Sequence, residues 1–304
     1  MSMSWEMEYK KRLKTADEAL ACVKSGMRVY IQPGCAEPET LVEALMRRAP
    51  DVFDVEIVHM MTMGCAPYVS PEMAGHFRHN AMFIGANVRE AINDGRADYT
   101  PIYLSEIEGL FESGQMPIDV ALIEVSPPDS HGYCSFGVGV DTTLTAAKVA
   151  KHVVAQVNDN MPRTFGDSFI HVNDINDFVE STRPLCALKR AVVTELQVAI
   201  ARNVAGLIED GAVLQTGIGG IPDAILHMLM DRKDLGVHSE MISDGVIPLI
   251  EAGVITGARK NFKPRKIILG FALGSKSLFE FVDNNPSHAV AKSKFHNFPL
   301  SSKK

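Results

Sequence analysis

The sequence predicts an α/β fold made of two similar, open, mainly parallel halves, and three observations carry that expectation. Two stretches about 185 residues apart repeat one order of helix, strand, glycine loop and helix. The run at 119–125, DVALIEV, is almost continuously apolar, as strands buried on both faces are. Length and composition, 304 residues with 46% hydrophobic and 22% charged, suit two ordinary domains with a substantial core.

The first repeat, 19–50, reads ALACVKSGMRVYIQPGCAEPETLVEALMRRAP, and the second, 204–234, reads VAGLIEDGAVLQTGIGGIPDAILHMLMDRKD. In each, a helical apolar pattern stops at Gly26 or Gly211, a residue suited to the position after a helix. A short strand follows, Val29-Tyr30-Ile31 or Ala212-Val213-Leu214, then a glycine loop, PGCAEP or TGIGGIP. An amphipathic helix begins near Pro38 or Pro222, where a missing N–H costs nothing in the first turn. A further strand follows each repeat, at 55–59 and at 235–242. Between the repeats, the strand at 119–125 is broken by Ser126-Pro127-Pro128, and 148–157 gives another strand. The polar stretch 158–182 reads as a connector with an extended piece at 169–172. A boundary near 185 divides a domain at 1–185 from one at 186–286, which opens with a helix at 193–209. Parallel sheets carry ligand loops beyond the carboxyl ends of their strands, so a duplicated pair should face a shared cleft.

A formal charge of −7 and a pI near 5.8, with no basic stripe, argue against a nucleic-acid partner. Residues 1–14 are polar and no apolar run is long enough to span a bilayer, so no membrane role is expected and cytoplasm is the default address. Five scattered cysteines without a CxxC spacing read as reduced thiols, neither a disulfide frame nor a zinc site. No metal is expected: the stretch HFRHN at 76–80 lacks a third ligand and reads as surface, and Met60, Met61 and Met63 read as core.

Three motifs could carry chemistry. The loop QTGIGGIP at 215–222 joins a strand to a helix, where glycines let backbone N–H groups approach a phosphate or an oxyanion. It is neither a dinucleotide fingerprint nor a Walker loop, and the pattern alone fits a tight turn equally well. HSEMISDG at 238–245 sets Glu240 at the end of a strand-like run, where α/β enzymes keep reactive groups. A carboxylate can serve as a covalent nucleophile, although a solvated loop glutamate has the same pattern. PPDSHGYCSFG at 127–137 holds His131 and Cys134, but a nucleophilic Cys–His pair is defined in space, so a structural turn near the cleft is expected.

With these residues in hand, the chain resembles the acetyl-CoA hydrolase/transferase family, in particular its 4-hydroxybutyrate CoA-transferases. The matching stretches are FIGANVREAINDGRADYTPIYLSEI (83–107), DVALIEVSPPDSHGYCSFGVGVD (119–141), LQTGIGGIPDAIL (214–226), LGVHSEMISDGV (235–246) and GFALGSKSLFEFVDNNP (270–286). The resemblance implies an internally duplicated open α/β fold and a glutamate nucleophile, carried over to Glu240. It implies a CoA-contacting segment at Gly217, Ile218, Gly219, Gly220 and Ile221. The implied reaction moves CoA from an acyl-CoA such as acetyl-CoA to a short carboxylate such as 4-hydroxybutyrate or butyrate. It runs through a glutamyl-CoA thioester, with CoA as substrate and no cofactor; hydrolysis of the acyl-CoA is the alternative. A homodimer is implied by the same likeness. Family members continue past DNNP with more strands and another glycine-rich loop, whereas 287–304 is an atypical polar tail. The second domain is therefore expected to be truncated and to expose apolar edges, and an inactive CoA-binding fragment is a further alternative.

Overall fold

The computed structural model describes residues 5–188 and 193–291. The first half contains α1 (Trp5–Lys11), α2 (Ala16–Leu20), β1 (Arg28–Ile31), α3 (Glu39–Arg47), β2 (Val55–His59), β3 (Phe77–Ala81), α4 (Arg89–Asn93) and β4 (Asp98–Tyr99). It continues with α5 (Leu104–Glu112), β5 (Val120–Val125), β6 (Tyr133–Ser135), α6 (Thr143–Val149), β7 (His152–Val157), β8 (Phe169–His171) and β9 (Asp177–Glu180). Seven of these strands form one sheet in the order β4-β3-β2-β1-β5-β7-β9, parallel at every pairing. Parallel strands need crossovers on both faces, and β1 shows the result. Val29 and Ile31 point into one apolar cluster with Leu41, Leu45 and Ile57, while Tyr30 points into another with Phe111 and Phe136.

The second half contains α7 (Glu195–Ala205), β10 (Val213–Leu214), α8 (Gly220–His227), β11 (Gly236–Val237), β12 (Met241–Ile242), α9 (Val246–Glu251), β13 (Ile267–Leu269), β14 (Phe271–Ala272), α10 (Lys276–Val282) and β15 (His288–Val290). β10 pairs parallel with β11 as β1 does with β2, a His238–Ile268 bridge joins β11 to β13, and β13 pairs with β15. This reproduces the β1-to-β4 side of the first sheet. The other edge of β1 carries β5, whereas among the described residues β10 pairs with no strand but β11. Tyr30 in β1 is fully buried, while Val213 in β10 is 47% exposed. Nearby, α7 and the turn after it present Leu196, Ile200 and Leu207 to solvent. One apolar cluster nevertheless runs through both halves, with Phe136 and Val140 from the first and Phe271 and Leu273 from the second.

Several expectations need correction. Gly26 and Gly211 do adopt left-handed backbone, but in turns five or more residues beyond the helix ends, because α2 stops at Leu20 and α7 at Ala205. α7 starts at Glu195, two residues later than its pattern, because Thr194 and Gln197 form a capping box. Lys148 belongs to α6, so the strand at 148–157 shortens to β7. The polar connector hides β9, whose Asp177 binds Lys14 and His152. HFRHN is surface only in part: residues 77–80 lie in β3 and Arg78 is exposed, but His79 is buried, stacks on His59 at 4.1 Å, and burial pushes its pKa down to about 4. Finally, the first residues of the polar tail form β15, and Val290 bridges to Gly166 of the first half. The remainder of that tail, 292–304, lies outside the described residues.

Candidate active site

The run at 235–242 is not one strand. Gly236 and Val237 form β11, Met241 and Ile242 form β12, and Glu240 occupies the bend between them. The break follows from a change of partner: β11 pairs with β10, whereas β12 pairs with β14. The buried Lys260 donates from Nζ to the Val237 carbonyl at 2.6 Å, pinning the end of β11, and burial lowers its pKa to about 8. Ser239 donates its N–H to Ile268 at 2.9 Å.

The glycine loop and Glu240 meet through Thr216. Its N–H donates to Ser239 Oγ at 2.9 Å and its Oγ1 donates to the Met241 carbonyl at 2.7 Å, so Thr216 holds the residues on both sides of Glu240. Beyond Thr216 the chain turns through Gly217, Ile218 and Gly219, all exposed, into α8 at the buried Gly220; Ile221 is half-buried. Gly219 has φ +116°, a conformation that favours glycine. A Cβ on Gly220 would stand 2.8 Å from Gln197 Oε1, so glycine there lets α8 pack on α7. The leading N–H groups of α8 have no partner within the helix and carry its positive dipole end, which makes this loop suited to an anion.

Glu240 is half-buried. Its carbonyl accepts from the N–H groups of Gly270 at 2.8 Å and Phe271 at 3.1 Å. Its carboxylate has no hydrogen bond or ion pair among the described residues, and burial raises its pKa above the usual carboxylate value. An ionised carboxylate without donors keeps its lone pairs free for attack on carbon, and desolvation raises its basicity.

The first half contributes residues 138–141, which directly follow the PPDSHGYCSFG turn expected near the cleft. Val140 and Asp141 donate their N–H groups to the Gly270 carbonyl at 3.2 Å each, Ala272 donates to the Val138 carbonyl at 2.8 Å, and Gly139 forms an antiparallel bridge with Phe271. Glu37, from the loop PGCAEP, is buried, accepts from Gly64 N–H at 2.7 Å, and is pushed up to about 7 by burial. Cys134, the middle residue of β6 opposite Ile170 of β8, is fully buried with burial raising its thiol to about 12, so it takes no part as a nucleophile. No cluster of three or more His, Cys, Asp or Glu suited to a metal occurs among the described residues, and no described helix is long and apolar enough to cross a membrane.

A sequence model of the acetyl-CoA hydrolase/transferase N-terminal domain matches residues 1–188. The 4-hydroxybutyrate coenzyme A transferase of Clostridium kluyveri is 49% identical over 98% of this chain and 70% of its own. The succinyl-CoA:acetate/propanoyl-CoA:succinate CoA transferase of Fasciola hepatica is 42% identical over 96% of this chain and 61% of its own. The chain thus spans 61–70% of the length of these two relatives. Among solved structures, the 4-hydroxybutyrate CoA-transferase of Porphyromonas gingivalis superposes with a TM-score of 0.87 at 36% identity, covering 98% of this chain and 72% of that one. RipA from Yersinia pestis superposes with a TM-score of 0.92 at 30% identity, with the same coverages of 98% and 72%.

Proposed function

Because the chain belongs to the acetyl-CoA hydrolase/transferase family, we propose that it moves CoA from an acyl-CoA to a short carboxylate, with Glu240 as nucleophile. Acetyl-CoA is the donor class we favour, and 4-hydroxybutyrate or butyrate the acceptor class; the Clostridium kluyveri relative is named for 4-hydroxybutyrate. In this reading, residues 1–185 and 186–286 act as two domains of one transferase. Cytoplasm is the address we favour, and the homodimer follows from family likeness.

A Glu240 oxygen attacks the thioester carbonyl carbon, and the C–S bond breaks, leaving an acyl-glutamyl anhydride and CoA thiolate. The thiolate then attacks the glutamyl carbonyl carbon. The donor acid leaves as its carboxylate, and Glu240 becomes a glutamyl-CoA thioester. The acceptor carboxylate runs the two steps in reverse, which releases the new acyl-CoA and restores Glu240. Every step exchanges oxygen and sulfur at a carbonyl carbon, so the scheme uses coenzyme A and acyl-CoA as substrates and calls on no cofactor. Gly217, Ile218, Gly219, Gly220 and Ile221 take the CoA-contacting role, and N–H groups there are candidates for holding each oxyanion. Losing one such donor in an enzyme typically costs about 2.7–4 kcal/mol of transition-state stabilisation.

The observation that carries this reading is the half-buried Glu240 carboxylate, unpaired among the described residues, with its two chain neighbours tied to the glycine loop through Thr216. Incubation with acetyl-CoA followed by borohydride should reduce the glutamyl thioester, and a mass shift should map to Glu240. In Glu240→Gln the mark should vanish and exchange fall by several orders of magnitude. Exchange that persists in the amide variant would remove Glu240 from the mechanism. CoA release that needs added carboxylate identifies transfer, whereas release at the same rate without it identifies hydrolysis.

A further inference from the structure

The geometry points to Gln32 as a positioning residue for Glu240, acting across the boundary between the two halves. The inference rests on the reading of Glu240 as nucleophile and assigns it a support that its own domain does not contain. Gln32 lies one residue beyond β1 and is 0% exposed. Burying a primary amide is unfavourable unless its hydrogen bonds are made, and here both ends are used. Oε1 accepts from Glu124 N–H at 2.6 Å, and Nε2 donates to the carbonyl of Gly139 at 2.8 Å and of Phe136 at 3.3 Å. Those two carbonyls belong to the loop between β6 and α6, outside any strand ladder, and the amide of Gln32 supplies them with a donor.

That loop is the part of the first half that grips β14. The Gly139–Phe271 bridge and the Val140 and Asp141 N–H groups on the Gly270 carbonyl lie on one side of residues 270 and 271. On the other side, the N–H groups of the same two residues hold the Glu240 carbonyl. Gln32, the loop, Gly270-Phe271 and Glu240 therefore stand in series, each linked to the next by hydrogen bonds. The fit is close, since a Cβ on Gly139 would stand 2.9 Å from the Ala36 Cβ. The amide fixes where the loop sits, the loop fixes Gly270 and Phe271, and these fix the backbone from which the nucleophile extends.

Two variants of the full chain test this. Gln32→Met keeps the length and removes all three hydrogen bonds. Gln32→Glu restores one donor and one acceptor only while its carboxyl is protonated; the other buried acids nearby, Glu124 and Asp141, are the same in both proteins. For Gln32→Met, labelling of Glu240 by acetyl-CoA in a single turnover should slow roughly tenfold, the effect of losing about one hydrogen bond. Acetyl-CoA affinity should stay within about twofold, because the glycine loop is untouched. Hydrogen exchange should speed up at Gly270 and Phe271, and at Glu124, whose N–H loses its acceptor, while the other β5 amides keep their protection. Gln32→Glu should be slow at neutral pH and approach the parent rate as pH falls. Parent-like labelling in Gln32→Met, or unchanged exchange at Gly270 and Phe271, overturns the inference. Equal loss of protection in β5 and β14, with no acid recovery in Gln32→Glu, reduces Gln32 to a general structural role and overturns it as well. If the parent itself shows no label at Glu240, it is the nucleophile reading that fails, and the exchange measurement still decides the coupling.

Discussion

Glu240 joins two opposite conditions: its carbonyl is held by two N–H groups, while no described residue holds its carboxylate. Burial alone raises its pKa, which sets the sign of a pH effect. If Glu240 is the nucleophile it must be ionised, so single-turnover labelling should fall as pH drops through its raised pKa, and level off above it. A label rate flat down to the pH where free glutamate titrates would show that another group limits attack. The sequence pointed to Glu240 through HSEMISDG and the family resemblance, and the borohydride label is what tests it. Thr216 and Ser239 were not singled out, because their bonds join residues 23 apart and only folding makes them neighbours.

At the scale of elements, the strand-loop-helix unit β10-loop-α8 was visible from its glycines and Pro222, and the structure gives the glycines separate reasons. Gly219 meets a backbone requirement and Gly220 a packing one. In Gly219→Ala, a methyl group on a backbone at φ +116° should cost about 1–3 kcal/mol. If the loop contacts CoA, KM for acyl-CoA should rise with a smaller change in kcat; a thermal shift with unaltered kinetics would leave the glycine a purely structural task. Elsewhere the linear pattern misled. The run at 235–242 is apolar enough for one strand, and it divides only because β11 and β12 find different partners. β9 escaped notice because Asp177 and the polar residues around it resemble a connector, although β7 recruits them as an edge strand.

At the scale of the molecule, duplication was readable from two short stretches, and the structure shows that the copies differ on one side. β1 is flanked by β5, while β10 shows an edge with Val213 exposed and Leu196, Ile200 and Leu207 of the α7 region nearby. Open apolar edges invite pairing with other chains. Val213→Lys should therefore lower concentration-dependent self-association, measured by light scattering, with little change in melting temperature. Scattering that responds instead to substitutions on the first-half surface would place the contact elsewhere. The interlocking of the halves was beyond the reach of sequence patterns, since Gly139 and Phe271 are separated by most of the intervening fold.

The fixed carbonyl and unclaimed carboxylate of Glu240 together describe a short swivel on a rigid post. If Glu240 is the nucleophile, rotation about its side-chain bonds would turn the carboxylate from one substrate to the next while Gly270 and Phe271 keep its backbone in place.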